Sequence, residues 1–197
     1  MFTVSALLGY LLGSIPFAFF AGRLRGGVDI RRVGSGNVGA ANVLRASGTG
    51  MGAAVLLLDV AKGAASVLCA QRLGAGEEAR ALAGLAAVVG HVYPVWLRGR
   101  GGKGVATAAG AFSVLAPQAA AAAAALFVAA VWLTRFVSVG SMLAAAALAP
   151  LAWRSGAPRA VVLAAACAGA LVLFRHRGNL ARLLAGSERR LGQRVIS

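Results

Sequence analysis

Acidic residues are scarce in this chain: five Asp or Glu stand against twenty Lys or Arg in 197 residues, a formal net charge of +15. Charge of either sign is also scarce, at 13% of residues against 59% hydrophobic ones. Soluble domains carry about 25% charged residues. So little polar surface cannot cover a water-facing globule, which excludes a soluble domain and points to an integral membrane protein. The basic residues fall in short clusters between apolar runs, not along one soluble face, so no nucleic-acid partner is expected. Cysteine is limited to Cys69 and Cys167, far apart in Ala-rich surroundings, which favours neither a disulfide nor a metal pair. With two histidines and no C-x-x-C or H-E-x-x-H spacing, no metal is expected. Residues 1–20 hold no basic residue, and Arg23 and Arg25 follow them. That order lacks the positive start of a secretory signal and predicts an uncleaved first span with its start outside.

A helix needs about 20 apolar residues to cross the hydrocarbon core. Apolar stretches at 3–22, 51–70, 79–97, 104–116, 119–134, 137–153 and 158–174 predict an all-α, polytopic helix bundle with seven crossings in a single domain, 1–197. Five crossings remain the alternative if the hairpin around Pro117-Gln118 is re-entrant and another weak span fails. With the N-terminus outside, segments 23–50, 98–103, 135–136 and 175–197 fall in the cytoplasm and carry fifteen of the twenty basic residues. That bias is the positive-inside pattern. The 27 glycines and many alanines permit close helix approach within a bilayer.

The first of these segments contains Gly34-Ser35-Gly36-Asn37-Val38-Gly39, a formal G-x-G-x-x-G, with Asp59 twenty residues beyond it. A dinucleotide-binding fingerprint needs a strand before the glycines and a βαβ unit around them. Here apolar helical stretches stand on both sides, so Asp59 falls inside a span and the dinucleotide reading fails. The glycines still allow backbone N–H groups to converge on an anion. A short helix over 40–46 would add its N-terminal dipole. Ser35, Asn37 and Arg45 add side-chain donors. A second Gly-rich basic turn, "LRGRGGKGVAT" at 97–107, carries Lys103. It is not a Walker A loop, because Leu97 and Gly104 stand where Gly and Ser/Thr are required. A third segment, "FRHRGNLARLLAGSE" at 174–188, supplies Arg175, His176, Arg177, Asn179 and Arg182. Three donor-rich loops on one side of a bundle predict a phosphate-handling site at the membrane boundary.

Taken together, "GSIPFAFFAGRLRGGVDIRRVGSGNVGAANVLR", "LLLDVAKG", "GHVYPVWLRGRGGKGVAT" and "RHRGNLARLLAGSE" resemble the bacterial acyl-phosphate-dependent glycerol-3-phosphate acyltransferases (PlsY-type). One departure stands out: Ala41 occupies the place of the family's threonine in Gly-Ala-Thr-Asn. The resemblance implies transfer of a fatty acyl group from acyl phosphate to the sn-1 hydroxyl of glycerol 3-phosphate, giving lysophosphatidic acid and phosphate. It implies no cofactor, no metal, and neither acyl-CoA nor acyl-carrier protein as direct donor. The expected setting is the bacterial cytoplasmic (inner) membrane with the site on its cytoplasmic side. The enzyme that produces acyl phosphate is a conceivable partner.

Two dianionic phosphates must be held close together, so neutralising their charge is the main chemical task. Ser35, Gly36 and Asn37 are the expected acyl-phosphate cradle, with Asn42 beside them. Arg45, Lys103, His176 and Asn179 are expected to clamp glycerol 3-phosphate and orient its hydroxyl. The base is either His176, whose ordinary pKa lies near neutrality, or the substrate's own phosphate. Ser141 has two open roles, a phosphate donor by resemblance or a helix-packing serine. His91 is expected to serve packing or helix-end hydrogen bonding. Asp59 and Lys62, three residues apart, are expected to pair, and Glu188 to pair with nearby arginines. The alternative function is a small transporter or flippase for phosphorylated metabolites or lipids. Such sites usually lie at midplane between repeats, and no repeat is evident here.

Overall fold

A computed structural model of the chain describes residues 1–24, 27 and 29–192. The described residues form ten α-helices and two short 3-10 turns, with no β-strand among them. Arg25 and Arg194, counted above among the cytoplasmic basic residues, lie outside the described residues.

The first apolar stretch is broken. Helix α1 (Phe2–Ser14) stops before Pro16, and α2 (Phe17–Leu24) resumes beyond it. Proline has no N–H to continue the ladder, and the residue before it avoids helical backbone. The expected span over 3–22 is therefore two helices. After a 3-10 turn at Ile30–Arg32 comes α3 (Ala40–Ser47), the short helix anticipated over 40–46. Two long helices follow, α4 (Thr49–Arg72) and α5 (Glu77–Val92), the latter extended by a 3-10 turn at Val95–Leu97. Helix α6 (Val105–Leu115) and α7 (Pro117–Thr134) make the hairpin expected at Pro117, which occupies the first position of α7, where its missing N–H costs nothing. Helices α8 (Val137–Arg154) and α9 (Arg159–Arg175) complete the bundle, and α10 (Arg177–Leu184) leaves α9 at 49°.

Among the described residues five stretches are long and apolar enough to cross a membrane: α1 with α2, α4, α5 with its extension, α7 and α8. The bent pair α9–α10 makes a sixth if it counts as one span. Helix α6 has only 11 residues, rising about 16 Å at 1.5 Å per residue, roughly half the hydrocarbon thickness.

Small residues set the helix spacing. Helix α1 lies against α5 at Gly9 and Gly13, where a methyl group at Gly13 would sit 2.6 Å from the Ala87 carbonyl carbon. Helix α4 meets α6 in the same way, since a methyl at Gly110 would sit 2.7 Å from the Val60 carbonyl carbon. Apolar side chains gain nothing from leaving lipid for protein, so close van der Waals packing holds such a bundle together. Val67, Val88, Phe112 and Ala165 are the centre of the packed core. Trp132, Trp153 and Leu133 face outward, as do the unpaired Cys69 and Cys167.

Candidate active site

The loop before α3 is built from the inside. Asp29 Oδ1 accepts the Arg31 N–H at 3.1 Å, and its carboxylate pairs with the Arg31 guanidinium at 2.7 Å. Gly34 and Gly36 have φ of +63° and +68°, backbone that other residues rarely adopt. The buried Asn42 amide reaches back from α3, donating to the carbonyls of Ile30 and Val33, both at 3.0 Å. Its Oδ1 accepts the Ser35 N–H at 2.9 Å. Gly36 N–H donates to the Val33 carbonyl at 3.1 Å. The N–H groups of Ser35 and Gly36 are thus used within the loop, and a nest made from them is not what this loop presents. Ser35, Asn37 and the first turn of α3 at Ala40 and Ala41 line the cavity. First-turn N–H groups have no partner inside their helix. Arg45, half-buried, follows one turn beyond Ala41.

The second loop is pinned to the end of α5. Gly101 N–H donates to the Val92 carbonyl and Gly102 N–H to the His91 carbonyl, both at 3.1 Å. Gly104, at φ +87°, opens α6 directly after Lys103. Burial pushes the Lys103 ammonium down to about 8, against the pull of Glu188, while Arg182, Arg45 and Arg175 push the same way as burial.

The third segment turns at His176, the residue between α9 and α10. Its Nδ1 lies 2.8 Å from the Val172 carbonyl oxygen. A carbonyl can only accept, so Nδ1 carries the proton and the neutral ring keeps its lone pair on Nε2. Burial, reinforced by Lys103, pushes His176 down to about 4, so the ring is neutral at pH 7. The Lys103 ammonium donates to Asn179 Oδ1. Asn179 Nδ2 donates to Glu188 Oε1 at 2.6 Å, and Arg182 Nε donates to Glu188 Oε2 at 2.7 Å. Burial would raise the Glu188 carboxyl; the hydrogen bonds from Asn179 and Arg182 outweigh it and hold the group below the usual range. The tail then returns to the α7–α8 turn, where Leu191 N–H donates to the Arg135 carbonyl at 2.7 Å.

These segments enclose one cavity of about 1280 Å³. Ser35, Gly36, Asn37, Asn42, Arg45, Lys103, Ser141, His176 and Asn179, all singled out from the sequence, line it together. Ser141 is buried on α8 and donates to the Val137 carbonyl at 2.9 Å. Ser138, three residues earlier on the same helix face, also lines the cavity and was missed. Its spacing from Ser141 is the signal that could have found it. Away from the loops the walls become apolar. Alanines of α6, α7, α8 and α9 line that half, with Phe127 and Leu148. The cavity is cationic at one end and coated with methyl groups at the other.

A family profile described as "Glycerol-3-phosphate acyltransferase" matches residues 3–186. The chain belongs to the glycerol-3-phosphate acyltransferase family. A relative from Synechococcus sp. (strain CC9902), named glycerol-3-phosphate acyltransferase, is 49% identical over 187 residues, 95% of this chain and 94% of its own. One of the same name from Myxococcus xanthus (strain DK1622) is 49% identical over 193 residues, covering 96% of this chain and 100% of its own. Among solved structures, the glycerol 3-phosphate form of PlsY (YgiH), an integral membrane glycerol 3-phosphate acyltransferase, superposes with a TM-score of 0.91 at 40% identity. That match covers 96% of this chain and 95% of the other. The lysophosphatidic acid form of PlsY superposes with a TM-score of 0.89 at 39% identity, over the same shares of the two chains. For a family member the mixed character of the cavity acquires a chemical meaning: an acyl chain and a phosphorylated acceptor need walls of opposite kinds.

Proposed function

We propose that this protein transfers a fatty acyl group from acyl phosphate to the sn-1 hydroxyl of glycerol 3-phosphate. The observation that carries the reading is the single cavity with a cationic end and an alanine-lined end. Its cationic end suits two phosphates, and its apolar end suits a hydrocarbon tail. The relatives' shared name and the glycerol 3-phosphate and lysophosphatidic acid forms of PlsY support the acceptor and the product.

In the reaction the acceptor's hydroxyl oxygen attacks the carbonyl carbon, and the bond from that carbon to the phosphate oxygen breaks. Inorganic phosphate leaves with the electron pair. The hydroxyl proton passes to His176 Nε2 or to a phosphate oxygen. An acyl phosphate is already a mixed anhydride, so no covalent enzyme intermediate is required. The protein must hold the reacting atoms within about 3–3.5 Å and neutralise charge. Ser35, Asn37 and the start of α3 are assigned to the acyl phosphate, with Gly36 shaping the loop and Asn42 bracing it. Arg45, Lys103 and Asn179 are assigned to glycerol 3-phosphate, and Ser141 to a phosphate oxygen. A bound dianion offsets the charges of Lys103 and Arg175, which lower the His176 pKa alongside burial, and so makes Nε2 more basic. Ala41 lines the same wall, where a threonine hydroxyl would add one donor.

The membrane setting we infer is a bacterial inner membrane with seven crossings, the short α6 completed by the loop that precedes it, the N-terminus outside, and the site and C-terminus in the cytoplasm. The distribution of basic residues supports that orientation. The chain acts as one domain, and the enzyme producing acyl phosphate is the partner its chemistry favours. Purified protein in detergent, given palmitoyl phosphate and labelled glycerol 3-phosphate, should release phosphate and lysophosphatidic acid in equal amounts. Absence of product, under conditions in which a related acyltransferase turns over, overturns the proposal.

A further inference from the structure

Three ionisable residues to which the proposed reaction assigns no role lie beneath the loops, two of them, Asp59 and His91, at the cavity wall. Asp59 and Lys62 are on α4 and His91 is on the last turn of α5, all of them buried. Lys62 Nζ is 2.8 Å from Asp59 Oδ1 and donates at 2.8 Å to the carbonyl of Ile15, at the α1–α2 break. His91 Nδ1 is 3.6 Å from the same Asp59 oxygen. Ionisable groups within a membrane layer are costly, and a purely space-filling role needs none.

The other edge of the His91 ring faces the loops. A side chain at Gly102 would collide with His91 Nε2 and stand 2.7 Å from the Val38 carbonyl oxygen. The ring, Gly102 and the Val38 backbone therefore touch where the first loop meets the second. Gly102 precedes Lys103, whose ammonium meets Asn179 across the cavity. Moving the ring moves the glycine, and with it the lysine.

We propose that Asp59 and His91 are positioning residues for the acyl acceptor: Asp59, neutralised by Lys62, orients the His91 ring, and the ring sets Gly102 and so the placement of Lys103. This inference rests on the acyltransferase reading, with glycerol 3-phosphate as the ligand of Lys103. Its test uses the full-length protein and two independent readouts. His91→Phe keeps an aromatic ring but removes the nitrogen facing Asp59. The expected result is a KM for glycerol 3-phosphate raised on the order of ten-fold, the scale of a small misplacement. The KM for palmitoyl phosphate and kcat should change far less. Tryptic cleavage after Arg98 and Arg100, followed by mass spectrometry, should also be faster than in the wild type at an unchanged melting temperature. His91→Asn, which keeps a polar group facing Asp59 but loses the ring edge against Gly102, should show the same two effects. If His91→Phe does not fold, Asp59→Asn combined with Lys62→Met removes both interior charges together and is read in the same way. A wild-type KM and wild-type cleavage in either variant overturns the proposal. So does an equal loss for both substrates accompanied by a lower melting temperature, which is the mark of packing alone. Should the wild type prove inactive, the function falls, while the cleavage comparison still decides whether His91 holds the loop.

Discussion

Two clusters in this protein use the same residue types to different ends. Beneath the loops, Lys62 binds Asp59 directly and spends a further donor on the Ile15 carbonyl. At the cavity rim, Lys103 meets a neutral amide oxygen, and its carboxylate, Glu188, stands one residue further away behind Asn179. The first cation is buried against a carboxylate and a backbone carbonyl. The second is held by a weaker partner that an incoming phosphate can outbid. Lysine is a flexible point charge whose behaviour its surroundings set, and distance from the counterion separates an architectural lysine from a binding one.

The largest effect should come from breaking the interior pair. Asp59→Ala leaves the Lys62 charge buried without its partner and should cost about 3–5 kcal/mol, seen as a large drop in the detergent melting temperature. A melting curve like the wild type's would erase the distinction between the clusters. Next comes Lys103→Met, which should lower kcat/KM by about 10²–10³, the scale for loss of one charge-stabilising donor, with little change in melting. The wild-type pH profile sharpens this. Lys103 is charged below about 8 and neutral above it, so kcat/KM should fall as pH rises through that value. Lys103→Arg, which stays charged, should lack that limb. The smallest effect belongs to Arg182→Ala, because the Arg182–Glu188 pair is largely open to solvent on the arginine side, at 44%. The stability cost should stay below about 1 kcal/mol. A cost rivalling that of Asp59→Ala would mean that the rim is architectural too.

The helical segments and the convergence of the three loops were legible because both follow from local composition: apolar length, glycine turns, and basic residues gathered on one side. The i, i+3 spacing foretold the Asp59–Lys62 pair, and Glu188 was expected to pair with nearby arginines, of which the structure gives Arg182. What could not be read depends on contacts distant in sequence. The Asn42 amide consumes donors and acceptors from residues 30 to 35, so the loop's own N–H groups are less available than the glycine spacing suggests. Pro16 was visible, yet the apolar run around it masked the break it makes, and no local pattern showed that Lys62 would bond the Ile15 carbonyl freed there. His91 was expected to serve packing or helix-end hydrogen bonding, and nothing local announces that Gly102 lies against its ring.

The alanine walls of α6 to α9 have a consequence for membrane composition. Methyl groups offer no hydrogen bond and no charge, so such a surface registers how long a chain is and almost nothing else about it. Each methylene buried there is worth about 0.8 kcal/mol, and discrimination by one methylene in an apolar pocket reaches only about 10–200-fold. Neighbouring chain lengths are ranked by degree, with none refused outright. The fatty acids entering the cell's lipids at this step would then reflect the pool on offer more than any veto by the enzyme.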